Sequence, residues 1–207
     1  MFNIYNMHPE ARLFLDYVRR VFGPLFYKGK VLDVGSGDIN GNNRMYFSGV
    51  EYTGCDVFPG ANVDIVSKCH ELKYPDEYFD VIVSSECFEH DMHYEKSIAK
   101  ILRLLKKGGF FVFTCASTGR AEHGTLRTTP GCSFTCRTGD VAWSTYYKNL
   151  TKNDINVIPG FLETFKYSKF YYESGSKDLY FVGIKKNSLN QALIFEEYKG
   201  PNVINLN

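Results

Sequence analysis

The stretch Val31-Leu32-Asp33-Val34-Gly35-Ser36-Gly37-Asp38-Ile39-Asn40-Gly41 decides the fold. Val31, Leu32 and Val34 suit a buried strand, and Gly35 and Gly37 at its exit leave the backbone open to a ligand. A turn of this kind belongs to a cofactor loop. A dinucleotide site asks for Gly-x-Gly-x-x-Gly with a helix N-terminus on the pyrophosphate, and here Gly41 comes one place late. Asp33 would repel a pyrophosphate but would suit an ammonium or a sulfonium. A second acid, Asp56, ends the strand-like run 51–55 about twenty residues on, where nucleotide folds set a carboxylate on ribose hydroxyls. The two acids point to an adenosine with a positively charged tail rather than to NAD.

Two further stretches extend this reading. Phe79-Asp80-Val81-Ile82-Val83-Ser84-Ser85-Glu86-Cys87-Phe88-Glu89-His90 is an apolar strand that ends in small residues and a Glu-His pair, and Leu105-Lys106-Lys107-Gly108-Gly109-Phe110 is a helix-to-strand turn. With Asp33, Gly35, Gly37 and Asp56, these stretches make residues 30–114 resemble the class I S-adenosylmethionine-dependent methyltransferases, especially their small single-domain "type 11" branch. The resemblance implies an α/β, Rossmann-like, seven-stranded, mostly parallel sheet with an antiparallel C-terminal hairpin strand and helices on both faces. It also implies S-adenosyl-L-methionine as cofactor, held by Asp33, Gly35, Ser36, Gly37, Asp56, Val57 and Ser85. One departure stands out. Where many relatives carry an acid that receives the adenine amino group, this chain has Lys68-Cys69-His70-Glu71-Leu72. Lys68 cannot accept that hydrogen bond. The Cys69 amide and His70 are then left to border the ring.

The rest of the chain fits one enzyme domain. Its 207 residues, 44% hydrophobic and 23% charged, suffice for one sizeable core. A net charge of +1 and the lack of any Lys/Arg run longer than two give no field for nucleic acid. No stretch reads as a signal peptide or a membrane span, so a cytoplasmic enzyme without nucleic-acid or membrane partners is expected. Six cysteines, with no Cys-x-x-Cys, read as free thiols. Cys132 and Cys136 share a loop, but no metal site is expected.

The expected order of segments is an N-terminal helix in 1–28, a cofactor-binding core in 29–115, a substrate lid in 116–150, a helix and hairpin in 151–186, and a tail in 187–207. Phe14, Tyr17, Val18 and Val21 fall at helical spacing before Gly23-Pro24. Strand-like runs at 31–34, 51–55, 63–66, 80–85 and 110–115 alternate with helical stretches, the last helix being closed by Gly108-Gly109. Runs 165–172 and 179–185 read as a hairpin. Thr151 to Asp154 reads as a helix cap. The tail is expected to form an arm or an edge extension.

Segment 116–150 is rich in glycine and lacks periodicity, as lids often do. Its Arg120 and Arg127, with Tyr146 and Tyr147, are candidates for binding a polar substrate. Trp143 reads either as part of that surface or as packing of the lid against the sheet. A methyl acceptor that is an alcohol needs a base, and the candidates are His90 at the strand exit and His123 in the lid, with Asp91 available to orient either. The plainer reading of His90 is structural, because the Glu-His pair accompanies varied substrates. Segments 119–125 and 146–151 resemble methyltransferases of bacterial surface-glycan clusters and large algal viruses, which implies O-methylation of a sugar or glycan such as rhamnose. Two alternatives stay open: methylation of a non-carbohydrate metabolite, and a catalytically silent scaffold that keeps the fold.

Overall fold

The structure is a computed structural model that describes residues 9–188 and 195–207. Helix α1 (Pro9–Val21) buries Phe14, Leu15, Tyr17 and Val18 on one face and places Glu10 in its first turn and Arg19 and Arg20 in its last. These charges complement the helix dipole. The short helix α2 (Gly23–Phe26) follows, with Pro24 in its first turn, where no amide is needed.

Among the described residues, eight strands form one sheet: β1 (Lys30–Val34), β2 (Glu51–Asp56), β3 (Ile65–Val66), β4 (Phe79–Ser85), β5 (Leu105–Ala116), β6 (Phe165–Glu173), β7 (Asp178–Lys185) and β8 (Val203–Asn205). The spatial order is β3-β2-β1-β4-β5-β7-β6-β8. The five strands from β3 to β5 are parallel, and β7, β6 and β8 join antiparallel. This is the expected Rossmann-like architecture with one strand more. β8 extends the edge by pairing Asn205 with Tyr171, as the tail reading allowed, while residues 189–194 of that tail lie outside the described residues.

Helices cover both faces. One core joins Phe14, Val18, Phe22 and Phe26 to the β1, β4, β5 and β7 side chains Val31, Val81, Val112 and Val182. The other joins helix α3 (Tyr94–Leu104), through Ile98, Ile101 and Leu102, to Leu32, Ile82, Phe111 and Phe181. Strands buried on both faces have no polar side to expose, which is why their sequences read as apolar runs.

Three boundaries differ from the sequence reading. α3 ends at Leu104 and β5 starts at once, so Gly108-Gly109 lies inside the strand. Gly108 has φ +73°, and the register with β4 shifts there, as a bulge requires. β3 keeps only two of the residues 63–66, because it pairs with β2 alone at the sheet edge. Segment 116–150 contains short 3₁₀ turns and helix α4 (Val141–Ser144). Helix α5 (Lys152–Asn156) opens with a full capping box between Thr151 and Asp154. Helix α6 (Phe161–Thr164) then leads into β6. Among the described residues, no helix is long and apolar enough to cross a membrane.

Candidate functional site

β1 lies between β2 and β4, and strand order reverses direction on its two sides. Open α/β sheets form their ligand crevice at such a point, beyond the carboxyl ends of the strands. A cavity of about 430 Å³ occupies that position, lined by residues from the β1, β2 and β4 exits and from segment 116–150.

On the first side, the chain leaves β1 through Gly35 at φ +76°. A Cβ there would stand 2.5 Å from Cys87 Sγ, so only glycine fits. The amides of Gly35 and Ser36 donate to the Cys55 carbonyl, at 2.9 and 3.1 Å, which pins the turn to β2. The Asp56 carboxylate accepts from the amides of Gly37 at 2.9 Å and Val57 at 2.7 Å. Ser36 Oγ donates to the Asn62 carbonyl at 3.0 Å. Asp33 is fully buried under the turn, where its carboxylate accepts from Asn43 Nδ2 at 2.9 Å and from the Tyr52 hydroxyl. Burial pushes both Asp33 and Asp56 up to about 6.

On the opposite side, β4 ends at Ser85, whose Oγ donates to Asn43 Oδ1 at 3.0 Å. Glu86 follows in the left-handed region at φ +51°, a conformation of order 1–3 kcal/mol in cost that recurs at functional sites. Its carboxylate is buried, and neither oxygen has a hydrogen-bond partner among the described residues. The same holds for Glu89, which is 0% exposed. Burial holds both well above the usual carboxylate range, at about 8, and the repulsion of Glu89 adds to this at Glu86.

The two histidines meet here. Their rings pack edge to face with centroids 5.0 Å apart. His90 is 5% exposed, and burial pushes it down to about 3, so its ring is neutral. Its carbonyl accepts the Trp143 indole N–H at 2.8 Å. His123 has Nδ1 3.1 Å from the Ala121 carbonyl and Nε2 4.0 Å from Glu89 Oε1. Both rings line the cavity, and Glu89 lies directly behind them.

Most residues expected to hold a cofactor line this one cavity: Asp33, Gly35, Ser36, Gly37, Asp56, Val57, Cys69 and Ser85. His70 does not; its ring packs against His93, with centroids 4.8 Å apart, because the 3₁₀ turn at 69–71 aims Cys69 inward. Arg120 lines the cavity, with its guanidinium anchored on the Ser176 carbonyl at 2.6 Å and on Asp178 at 3.3 Å. Arg127 is instead turned outward and paired with Glu122 at 2.9 Å. Tyr146 and Tyr147 lie off the lining too. The Tyr147 hydroxyl donates to the Ala121 carbonyl and its ring backs His123, so it supports the site rather than facing a ligand. Asp91, expected to orient a histidine, instead accepts from the His93 amide and from Ser97 Oγ, which ties it to the start of α3.

Several lining residues carried no signal in the sequence. Asn43 links Asp33 to Ser85 across the cavity floor, and an isolated asparagine in a loop announces nothing. Phe134 covers Gly37 and Gly60 so closely that a Cβ at either would overlap its ring. Trp143, which the sequence did single out, is 3% exposed, as packing of segment 116–150 against the sheet requires, and it also lines the cavity. The Lys68 ammonium lies 5.0 Å from the centroid of the Trp143 ring, a cation–π contact that accounts for a lysine here.

Residues 5–137 match the family model described as a methyltransferase domain. No curated protein matches the chain. Among solved structures, the chain is similar to 1,6-didemethyltoxoflavin-N1-methyltransferase of Burkholderia thailandensis with bound S-adenosylhomocysteine (18% identity, TM-score 0.58, covering 86% of this chain and 80% of that one). It is also similar to phosphoethanolamine N-methyltransferase 2 of Haemonchus contortus in complex with S-adenosyl-L-methionine (19%, TM-score 0.57, 86% of this chain). The chain spans about half of that enzyme, 53% of its length. The PH0226 protein of Pyrococcus horikoshii OT3 aligns over 90% of this chain and 96% of its own (14%, TM-score 0.57). At these identities the structures share the fold.

Proposed function

The chain belongs to the methyltransferase-domain family, and on that premise we propose an S-adenosylmethionine-dependent O-methyltransferase acting on a hydroxyl of a sugar or glycan. The observation that carries this reading is the meeting, in one cavity, of the Gly35-Ser36-Gly37 turn and Asp56 with the wall formed by Glu86, His90 and His123. The residues present fit the cofactor. The glycines leave a cradle that a Cβ would fill, and Asp56 keeps acceptor capacity for ribose hydroxyls. When bound, S-adenosylmethionine supplies an activated methyl on a sulfonium.

The chain's own contribution is alignment, exclusion of water and handling of the acceptor's proton. Phe134 and Trp143 close the cavity from the lid side. Holding the acceptor oxygen in line supplies roughly 7–11 kcal/mol in favourable systems. Of the two rings expected to act as base, His90 is the less suited, since a group held near 3 has little affinity for a proton. His123, partly exposed and with Nε2 turned toward Glu89, is the better suited of the two. Sugar hydroxyls suit a wall that mixes carboxylates, Arg120 and aromatic faces. The free thiols support the cytoplasmic location we assign to it.

A second reading, methyl transfer to an amine of a small metabolite, is favoured by the two unpartnered carboxylates, which would hold an ammonium. Calorimetric titration with S-adenosylmethionine, S-adenosylhomocysteine and NAD tests the cofactor. Binding of both sulfur ligands and none of NAD is expected, and the reverse pattern would point to a dehydrogenase. A methylation screen over nucleotide sugars, rhamnose-containing oligosaccharides and amines then decides the acceptor. Turnover confined to amines would overturn the O-methyl reading, and cofactor binding with no turnover anywhere would favour a silent scaffold.

A further inference from the structure

We infer that Glu89, His90 and His123 form a divalent-cation site on the wall of the cavity, one that takes a first-row ion such as Mn²⁺ and, through it, two neighbouring hydroxyls of the acceptor. The ion site stands on the side chains themselves. Its substrate part rests on the proposed O-methyl transfer.

Each of the three residues offers one ligand atom, and these atoms all lie within 4.8 Å of one another. Metal–ligand bonds of about 2.0–2.2 Å bring such a set onto one ion with small side-chain shifts. The chemistry of the three groups agrees. Glu89 is a fully buried carboxylate with no hydrogen-bond partner among the described residues, an arrangement that folded proteins avoid unless a partner arrives. His90 is buried, and its Nδ1 likewise lacks a partner among the described residues. His123 carries the arrangement typical of a ligating imidazole: Nδ1 within hydrogen-bond distance of a backbone carbonyl, at Ala121, and Nε2 toward the cluster.

Among the described residues, the cation whose charge reaches both Glu86 and Glu89 is Arg120. Glu86 adds a second unpartnered carboxylate, close enough to feel the charge of Glu89. Arg120 offsets part of this charge, but its guanidinium is committed to Ser176 and Asp178.

One carboxylate and two imidazoles form a mixed oxygen and nitrogen set, which suits first-row divalent ions better than Ca²⁺. Such a set fills three of six positions and leaves adjacent ones open toward the cavity. Two vicinal hydroxyls are the ligand class that fills adjacent positions from a single small molecule. With an ion bound, His90 and His123 serve as ligands, and a hydroxyl on the ion loses its proton to water more readily.

The test uses the full chain, stripped with a chelator and titrated calorimetrically with Mn²⁺ in the presence of S-adenosylhomocysteine. Stoichiometric binding is expected. Glu89→Gln and His123→Ala should each weaken it on the order of 100-fold or more, while S-adenosylhomocysteine affinity stays unchanged and reports an intact fold. Absence of stoichiometric Mn²⁺ binding, or equal binding in both variants, would overturn the ion site. Methyl rhamnoside, which carries a vicinal diol, should bind only with Mn²⁺ present, and equal binding without the ion would overturn the substrate part. Loss of S-adenosylhomocysteine binding by the native chain would strike the methyltransferase reading instead, so the two readings fail separately.

Discussion

The ring of Phe134, from segment 116–150, rests directly on the backbone of Gly37 in the turn after β1, with no room between them for a methyl group. This contact ties segment 116–150 to the glycine turn that follows β1. Gly37→Ala should therefore displace Phe134 and weaken S-adenosylmethionine binding at least tenfold. Phe134→Ala should fold normally and weaken binding less. The double variant should recover part of the stability lost in Gly37→Ala, because the overlap is gone. Thermal denaturation and calorimetry check all three, and additive losses would show that the two residues act independently.

Asp56 should carry a measurable share of cofactor affinity. Removing a carboxylate that accepts from buried hydroxyls costs about 1–3 kcal/mol, so Asp56→Ala should weaken S-adenosylmethionine by roughly 5- to 150-fold. Unchanged affinity would place the ribose elsewhere.

The raised values of Asp33 and Asp56 give two pH dependences of defined sign. Cofactor affinity should be level above about pH 6 and fall below it, as the acids protonate and lose acceptor capacity. Folding stability should run the other way. In the window between the ordinary value of 3.8 and about 6, the folded chain binds more protons than the unfolded one, so stability falls as pH rises through it. Calorimetric titrations and chemical denaturation across that range test both, and a flat affinity profile would remove the two acids from cofactor binding.

His123→Ala should lower turnover by about 10²–10⁴-fold with cofactor affinity intact, whether the ring takes a proton or holds an ion. Single-turnover assays at saturating cofactor measure this directly. Full activity in the variant would leave the lid histidine a packing residue.

Trp143 is the only tryptophan of the chain, and it lines the cavity while being 3% exposed. Its fluorescence should change on addition of S-adenosylhomocysteine and saturate at the calorimetric stoichiometry. Trp143→Phe should lose about 1–3 kcal/mol of stability, because the His90 carbonyl would be left buried without its donor. Urea denaturation monitored by circular dichroism measures that loss.

Much of the architecture is legible before any coordinates. Gly35 and Gly37 at a strand exit, the acids Asp33 and Asp56, and the capping pair Thr151 and Asp154 are local patterns, and each lies where its spacing places it. The differences arise where neighbours decide. Gly108 reads as a helix stop but serves as a bulge, because Leu105 already pairs with Phe79 of β4 and the register shifts before Phe110. Arg127 and Tyr147 have the right chemistry for a substrate wall, yet Glu122 and the Ala121 carbonyl hold them away from it.

The sequence by itself determined the alternating α/β order, the glycine turn after the first strand and the acid that follows it. These rest on backbone freedom and burial periodicity, which are properties of neighbouring residues in the chain. The tertiary structure alone decided that Glu89 and His123 stand 4.0 Å apart, that His90 is held neutral, and that Phe134 seals the loop. Proximity and desolvation depend on which distant segments pack together, and no local spacing encodes them.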